Sequence, residues 1–558
     1  MSSPSQLASA TQRSGAQALV ESLLCCGINC AFGIPSIHNI PIYECLRQTP
    51  QFHHWVVRHE QAAGFAADGF YRHSGRPAAI FASTGPGNLF TLVPLLESLQ
   101  SNTPVLLIGT NIASPLQTGS GGALHETPEQ IEIVRPLTRY ARRVSSPEEI
   151  PRAVAEAADV LYGNLPGPAF IEVPHDLLAA AVSAQFPGSK QGQNGTIGDR
   201  ENSQAAALVR QSRKPVILIG GGVREGANAV RHLAETLQSP VFTTTSGKGQ
   251  FADDHPLAMG CISRLGTVQE IFRQCDLLIS FAARLTEFDT GRFGLVLPED
   301  HIQVVEDAAY PGNRITPKLQ LVGKIRTATA VLAQGLEPRG PWCDIAALIA
   351  AEKAKLESLK ADGYNALSLL RGALRRDDVV VNDQSILNYW ASAFFPVLAP
   401  GTFIYPYGSG TLGYGLPAAI GAAFAVRESG GKERIICIAG DGGFQYTQHE
   451  LATLAQYDLP VKILLVNDNA YGVIGFLQRS LFGHTHEVAL KNPDFCKVAK
   501  AYGVGARCVK TLDELKQNIG SWLETPGPAL LEWQTELKAP WEVGAILRPT
   551  GISANSGK

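Results

Sequence analysis

The 558-residue chain predicts an α/β protein of three doubly wound parallel-sheet domains in succession. At roughly 100–200 residues per domain, its length suits three or four domains. Short apolar, β-branched runs alternate with helix-period segments along almost the whole chain, which is the pattern of buried parallel strands joined by crossover helices. Gly-rich turns follow several of those runs, at the strand ends where open α/β sheets hold their ligands. The predicted domains span residues 12–185, 203–338 and 360–545. The polar, Gly-rich stretch GSKQGQNGTIGDRENS (188–203) is read as a linker, and a helical stretch from Pro341 to Lys360 leads into the third domain.

Composition excludes several classes. The chain is 45% apolar and 17% charged with a formal net charge of -3, so it has no basic excess for nucleic acid, and no acidic tail. MSSPSQLASATQRSG lacks the apolar core of a signal peptide, and no uninterrupted apolar run reaches membrane-spanning length. Ten cysteines in so long a chain do not form a disulfide scaffold. Cys25, Cys26 and Cys30 are expected on one helix, without His or Cys partners at zinc spacing, as buried thiols. The expected compartment is the reducing cytoplasm.

In the first domain, strands are predicted at Cys30–Phe32, His53–Arg58, Ala78–Ser83, Pro104–Gly109 and Ala169–Val173, with a helix at Gln17–Cys26. Glu60 stands at a strand's carboxyl end in RHEQAAGFAADGFYR, and Thr84-Gly85-Pro86-Gly87-Asn88 is a Gly-rich turn opening a helix. By itself such a Glu suits a helix start or a surface. In the second domain KPVILIGGG (214–222) is a strand running into a Gly-rich turn, followed by strands at Pro240–Thr245, Leu277–Phe281, His301–Val305 and Gln320–Val322. No catalytic constellation appears there, and GGG alone says little about a dinucleotide.

The third domain carries the most informative stretch, GDGGFQYTQHELATLAQYDLPVKILLVNDNAYG (440–472). Residues 433–439 (ERIICIA) read as a buried parallel strand, and Gly440, Gly442 and Gly443 let the backbone approach a phosphate. A helix is expected from about Gln448 to Tyr457 and a strand from Leu459 to Val466. Asp441, Asp468 and a backbone carbonyl near Ala470 are candidate oxygen ligands for Mg²⁺, which shares its octahedral shell with substrate phosphates. An ordinary βαβ unit with a Gly-rich turn is the alternative.

This segment resembles the thiamine diphosphate (ThDP) motif, GDG followed some two dozen residues later by NN, with Asp468 where the family usually has Asn. RHEQAAG followed by STGPGN is similar to the family's pyrimidine-binding domain. That resemblance implies that Glu60 hydrogen-bonds the aminopyrimidine ring and drives its imino tautomer, work suited to a carboxylate sheltered from water. Tyr407–Pro417 is similar to the loop whose apolar residue, here Leu412, wedges between the two cofactor rings, with the Gly410 carbonyl facing the amino group. Tyr471, Gly472 and Val473 complete the implied cofactor contacts. The resemblance covers about residues 12–545 and is nearest to acetolactate synthase-like 2-oxo acid decarboxylases and carboligases. It implies three domains in the order pyrimidine, central and diphosphate, and at least a homodimer, with a homotetramer expected.

Around the reaction centre the chain departs from authentic acetolactate synthases. Gly33-Ile34-Pro35-Ser36-Ile37-His38-Asn39 replaces a GYPGGA-like loop, Ala123-Leu124-His125-Glu126 replaces AFQE, and Leu477 stands for a Trp that shapes the acceptor site. Arg284, an expected holder of the substrate carboxylate, is retained. These changes argue against the branched-chain biosynthetic enzyme. His38 and His125 are candidate proton carriers, with backbone-bonded loop histidines as the alternative. His484 and His486 are expected on a lid or the surface. FAD binding is left open: GGG and Arg284 remain, while Val322-Gly323-Lys324 stands where relatives commonly read GD. The expected activity is ThDP- and Mg²⁺-dependent decarboxylation of a 2-oxo acid, with transfer of the acyl-anion equivalent to a proton or a second carbonyl compound. A C–C lyase acting on acyloins or diketones, and a non-catalytic binding or regulatory subunit, are the alternatives. Partners are a small 2-oxo acid and an aldehyde or ketone acceptor, with no nucleic acid and no membrane.

Overall fold

The computed structural model describes residues 13–117, 121–183, 199–264, 266–310 and 315–546. The chain forms two compact units, one of residues 1–71 and 75–192, the other of residues 72–74 and 193–558.

In the first unit, β1 (Arg13–Ser14) pairs antiparallel with β8 (Ala181–Val182). Between them lie β2 (Cys30–Gly33), β3 (His53–Val56), β4 (Ala78–Ala82), β5 (Val105–Asn111), β6 (Tyr140–Arg143) and β7 (Ala169–Pro174). They form a six-stranded sheet in the order β3-β2-β4-β5-β7-β6, parallel throughout. Every residue of β4 (AAIFA) and β5 (VLLIGTN) is buried, as strands covered by helices on both faces require. The helix Gly15–Cys25 opens with a capping box in which Ser14 and Gln17 each accept the other's backbone N–H.

The second unit holds two further six-stranded parallel sheets. The central one contains β9 (Pro215–Ile219), β10 (Val241–Thr243), β11 (Ala258–Cys261), β12 (Leu277–Phe281), β13 (His301–Val305) and β14 (Leu319–Val322), ordered β11-β10-β9-β12-β13-β14. The C-terminal one contains β15 (Val379–Asn382), β16 (Phe403–Ile404), β17 (Ile435–Gly440), β18 (Val461–Asn467), β19 (Gly505–Val509) and β20 (Ala529–Gln534), ordered β16-β15-β17-β18-β20-β19. Each sheet has its own apolar core. Within this unit Arg264 crosses from the central sheet to the Ala393 carbonyl (2.9 Å) and the Glu352 carboxylate (2.6 Å).

The α/β class with three parallel sheets agrees with the sequence, and the local differences have physical reasons. Strands β6, β11, β16 and β19 lie outside the runs read from sequence; all four are sheet edges. β20 (ALLEWQ) is an internal strand that the reading passed over. The helix expected from Gln448 begins at Asp441 instead, running to Thr447 and continuing through a 3₁₀ turn into Leu451–Tyr457. Part of the expected linker is helical, since Asp199–Gln211 is an α-helix, while residues 188–198 lie outside the described residues. The three clustered cysteines do not share a helix: Cys25 ends one, Cys26 caps it and Cys30 belongs to β2. All ten cysteines are free thiols.

Candidate active site

Three neighbouring strands of the C-terminal sheet, β15, β17 and β18, each feed a helix at their carboxyl ends. The helices begin at Ile386, Asp441 and Gly472, and all three starts line one cavity of about 260 Å³. Backbone N–H groups at helix N-termini have no intrahelical acceptor, so their convergence makes a site for phosphate. Ser385 caps the first helix by accepting from Asn388 N–H at 3.2 Å. A Cβ on Gly472 would lie 2.4 Å from Asp468 Oδ2, so any larger residue would push that carboxylate aside.

Gly410, Leu412, Gly440, Asp441, Gly442, Gly443, Asp468, Ala470, Tyr471, Gly472 and Val473, all singled out from sequence, line this one cavity. Asp441 is 2% exposed. It accepts from Asn492 Nδ2 at 2.6 Å, and Asp468 accepts from Ala470 N–H at 3.2 Å. Burial, then the neighbouring Asp441 carboxylate, pushes Asp468 up to about 7. Burial also raises Asp441, against the pull of its bond from Asn492. A buried carboxylate beside a half-buried one whose proton affinity it raises forms a site that a hard divalent cation completes. Among the described residues no cluster of three or more His, Cys, Asp or Glu side chains is placed for a metal. The Asp441 and Asp468 carboxylates that line the pocket fit Mg²⁺ bound jointly with phosphate oxygens.

Sequence reasoning missed Ser385 and two further supports of this pocket. Asp383, 1% exposed, accepts from the N–H groups of Gln384 (2.7 Å), Gly413 (3.1 Å) and Gly415 (3.0 Å). It thereby ties the loop bearing Leu412 to the end of β15; burial raises its own pKa to about 6. Asn492 donates to both Asp441 and Asn467, on a strap whose Val488 and Leu490 pair with Tyr471 and Asn469. Ser385 had a legible signal, a capping residue between a strand and an apolar run. Asn492 had none, because its partners lie 51 and 25 residues away.

A second cavity of about 550 Å³ adjoins the first, sharing Gln384, Tyr389, Gly410 and Val473 with it. Arg284 and Leu477 line it, together with Phe476, Tyr405 and Trp541. His484 and His486 are exposed beyond the helix Gly472–Phe482. In the central sheet, a Cβ on Gly220 would lie 1.9 Å from the Ala282 carbonyl oxygen, so packing alone accounts for that glycine. Lys324, in the segment that departs from GD, bonds Glu306 at 2.9 Å.

The first unit presents its candidates at the carboxyl edge of its sheet. Glu60 is the first residue of the helix Glu60–Ser74, capped by His59, and is half-buried. Its Oε1 would lie 3.0 Å from a Cβ on Gly87. A Cβ on Gly85 in the same turn would lie 2.3 Å from the His125 carbonyl oxygen. His125 has φ +65°, a left-handed conformation uncommon outside glycine, and Leu124 beside it is 65% exposed. His38 is buried with its ring 5.3 Å from that of His125.

The fold and the C-terminal pocket define an α/β protein with a site shaped for a diphosphate. Comparison with known proteins makes the class specific. Three family descriptions match in order: the N-terminal TPP binding domain of thiamine pyrophosphate enzymes at residues 13–133, their central domain at 203–333 and their C-terminal TPP binding domain at 383–533. The chain is 32% identical over 525 residues to "Probable 2-ketoarginine decarboxylase AruI" of Pseudomonas aeruginosa, covering 92% of this chain and 93% of that one. It is 30% identical over 550 residues to "Probable acetolactate synthase large subunit" of Methanocaldococcus jannaschii, covering 93% and 91%. It is 29% identical over 552 residues to "Acetolactate synthase isozyme 2 large subunit" of Escherichia coli K12, covering 97% and 98%. The chain belongs to the thiamine pyrophosphate-dependent enzymes, in their decarboxylase and acetolactate synthase-like group.

Proposed function

We propose that this enzyme uses Mg²⁺ and ThDP to decarboxylate a 2-oxo acid with a side chain larger than that of pyruvate, delivering the acyl-anion equivalent to a proton or a second carbonyl compound. The observation that carries this reading is the 550 Å³ cavity opening beside the diphosphate pocket, with Leu477 on its wall. The name of the Pseudomonas relative, a 2-ketoarginine decarboxylase, supports a long 2-oxo acid.

Bound ThDP supplies the electron sink for loss of CO₂. In our assignment, Asp441, Asp468 and the Ala470 carbonyl hold Mg²⁺. Gly440, Gly442, Gly443, Tyr471, Gly472 and Val473 hold the diphosphate, and Leu412 and Gly410 fix the ring geometry. Glu60 holds and moves the proton of the aminopyrimidine. Arg284 takes the substrate carboxylate, while Leu477 and Leu124 shape the space around it. Decarboxylation needs no redox step from FAD, and absorbance near the flavin bands of purified protein decides whether the central domain binds it.

The reading keeps domains at 12–185, 203–338 and 360–545 and a cytoplasmic homo-oligomer, at least a dimer and in our assignment a tetramer. The first domain of one copy then faces the third domain of another. Exposed apolar residues on the first unit, Ile37 (62%), Ile40 (57%) and Phe90 (48%), support such an association. Among the described residues no helix is long and apolar enough to cross a membrane.

The test is CO₂ release from a series of 2-oxo acids, running from pyruvate through longer aliphatic and aromatic acids to one ending in a guanidinium, with and without an aldehyde acceptor. Faster turnover of the longer acids is expected. Acetolactate from pyruvate as the best reaction would overturn the reading.

A further inference from the structure

The loop after β12 holds four non-glycine residues in the left-handed conformation: Ala282 (φ +43°), Leu285 (φ +51°), Arg292 (φ +59°) and Phe293 (φ +62°). Backbone strain of this kind persists only where the surroundings enforce it, and it gathers where ligands are clamped. Asp289 pins the loop. Its buried carboxyl accepts from Thr245 N–H at 3.2 Å, just beyond β10, and from Thr286 Oγ–H at 2.8 Å. Thr290 closes the turn, donating to the Thr286 carbonyl at 2.7 Å and accepting from Phe293 N–H at 3.1 Å.

The loop carries Phe288 into the wall of the 550 Å³ cavity, where it is 38% exposed. An apolar ring left uncovered inside a cavity is surface that a ligand can bury. The Phe288 ring stands 6.3 Å from that of Tyr405 and 6.4 Å from that of Tyr389. Tyr389 meets Trp541 edge-on at 4.9 Å, and Trp541 meets Phe476 at 6.2 Å. One loop of the central domain and four separate parts of the C-terminal domain thus build a continuous aromatic wall along the cavity. Such rings take a further ring edge-to-face or offset-stacked. The charges of the same cavity are matched among themselves. Glu287 faces Arg292 at 3.6 Å, and burial raises Asp289 against its hydrogen bonds and the pull of Arg284. A cationic side chain entering here would meet two guanidinium groups and carboxyls already engaged, and a buried charge without its own partner is costly. A neutral aromatic side chain meets no such cost.

We propose that Phe288 is a specificity-determining residue, and that the preferred substrate is a 2-oxo acid with a neutral aromatic side chain whose ring packs on the wall formed by Phe288, Tyr389 and Trp541. The inference rests on the decarboxylase reading and narrows its substrate class. The cavity shares Gly410 and Val473 with the diphosphate pocket, so the side chain of an acid held at their junction extends towards these rings.

The test compares kcat/KM of the full-length enzyme, loaded with ThDP and Mg²⁺, on phenylpyruvate, 2-oxohexanoate and the guanidino-terminated 2-oxopentanoate. Phenylpyruvate should be the best of the three. Phe288→Leu should lower the ratio of phenylpyruvate to 2-oxohexanoate by about ten- to two-hundred-fold, the range of apolar pocket contacts. Phe288→Tyr, which keeps the ring, should retain most of that ratio. A wild type that prefers the guanidino or the aliphatic acid, or a ratio unmoved by Phe288→Leu, would overturn the inference and leave the reading of a long 2-oxo acid standing. If the wild type decarboxylates pyruvate alone, or no 2-oxo acid, that reading fails. Calorimetric titration with phenylpropanoate and hexanoate, which lack the oxo group, then tests the wall by itself. Tighter binding of phenylpropanoate that is lost in Phe288→Leu supports it, and equal binding of the two acids overturns it.

Discussion

Asn492 donates one side-chain amide to Asp441 Oδ2 at 2.6 Å and to Asn467 Oδ1 at 3.0 Å, joining the turn after β17 to the end of β18. Gln445 Nε2 donates to Asn492 Oδ1 at 2.8 Å and fixes the amide's orientation. A hydrogen bond to a charged group contributes about 1.5–3 kcal/mol. Asn492→Ala is therefore expected to weaken Mg²⁺ binding in the presence of ThDP by about ten- to a hundred-fold, read by calorimetric titration. Unchanged affinity would mean that the backbone pairing of the strap suffices to place Asp441.

Asp468 is raised because burial and Asp441 both disfavour its charge. A carboxyl group with a raised folded-state pKa contributes stability that is full below its unfolded pKa, and that contribution is lost as the pH rises through the folded value, here about 7. Asp468→Asn removes that loss. The metal-free variant should melt a few degrees above wild type at pH 8, with the gap shrinking towards about pH 4. Saturating Mg²⁺ and ThDP should close the gap at pH 8, since the cation supplies the missing counter-charge. Equal melting temperatures of the metal-free proteins at pH 8 would refute the like-charge account.

Glu60→Gln should leave folding and ThDP retention largely intact and lower turnover by about two to four orders of magnitude, the scale of general acid–base catalysis. Steady-state kinetics beside cofactor titration separates the two effects. Near-wild-type turnover would remove Glu60 from proton transfer.

Leu477 lines the larger cavity, where a Trp would take up far more area. Leu477→Trp should shift preference from long 2-oxo acids towards pyruvate, within the roughly ten- to two-hundred-fold range of apolar pocket contacts. Phe476 lines the same cavity, 6.2 Å from the Trp541 ring, and is the side chain placed to refill the space. Kinetics on pyruvate and on longer acids decides: a preference unchanged by the substitution would show that Leu477 does not set the pocket's size.

The α/β class, the three sheets and the part of the pocket lining that follows β17 and β18 were legible in the chain alone. Each buried parallel strand must be an apolar run, and each ligand-bearing turn follows such a run directly, so Gly440–Gly443 and Asp468 lie within a few residues of β17 and β18. Edge strands such as β6 (YARR) escaped, because a strand covered on one side can carry charge. The same locality explains what sequence could not show. Asp383 reaches Gly413 and Gly415 across 30 and 32 residues, and Asn492 reaches Asp441 across 51. His38 and His175 stand side by side because β2 and β7 belong to one sheet with β4 and β5 between them. Strand order brings such residues together, and strand order depends on how the whole chain packs, not on any stretch of it.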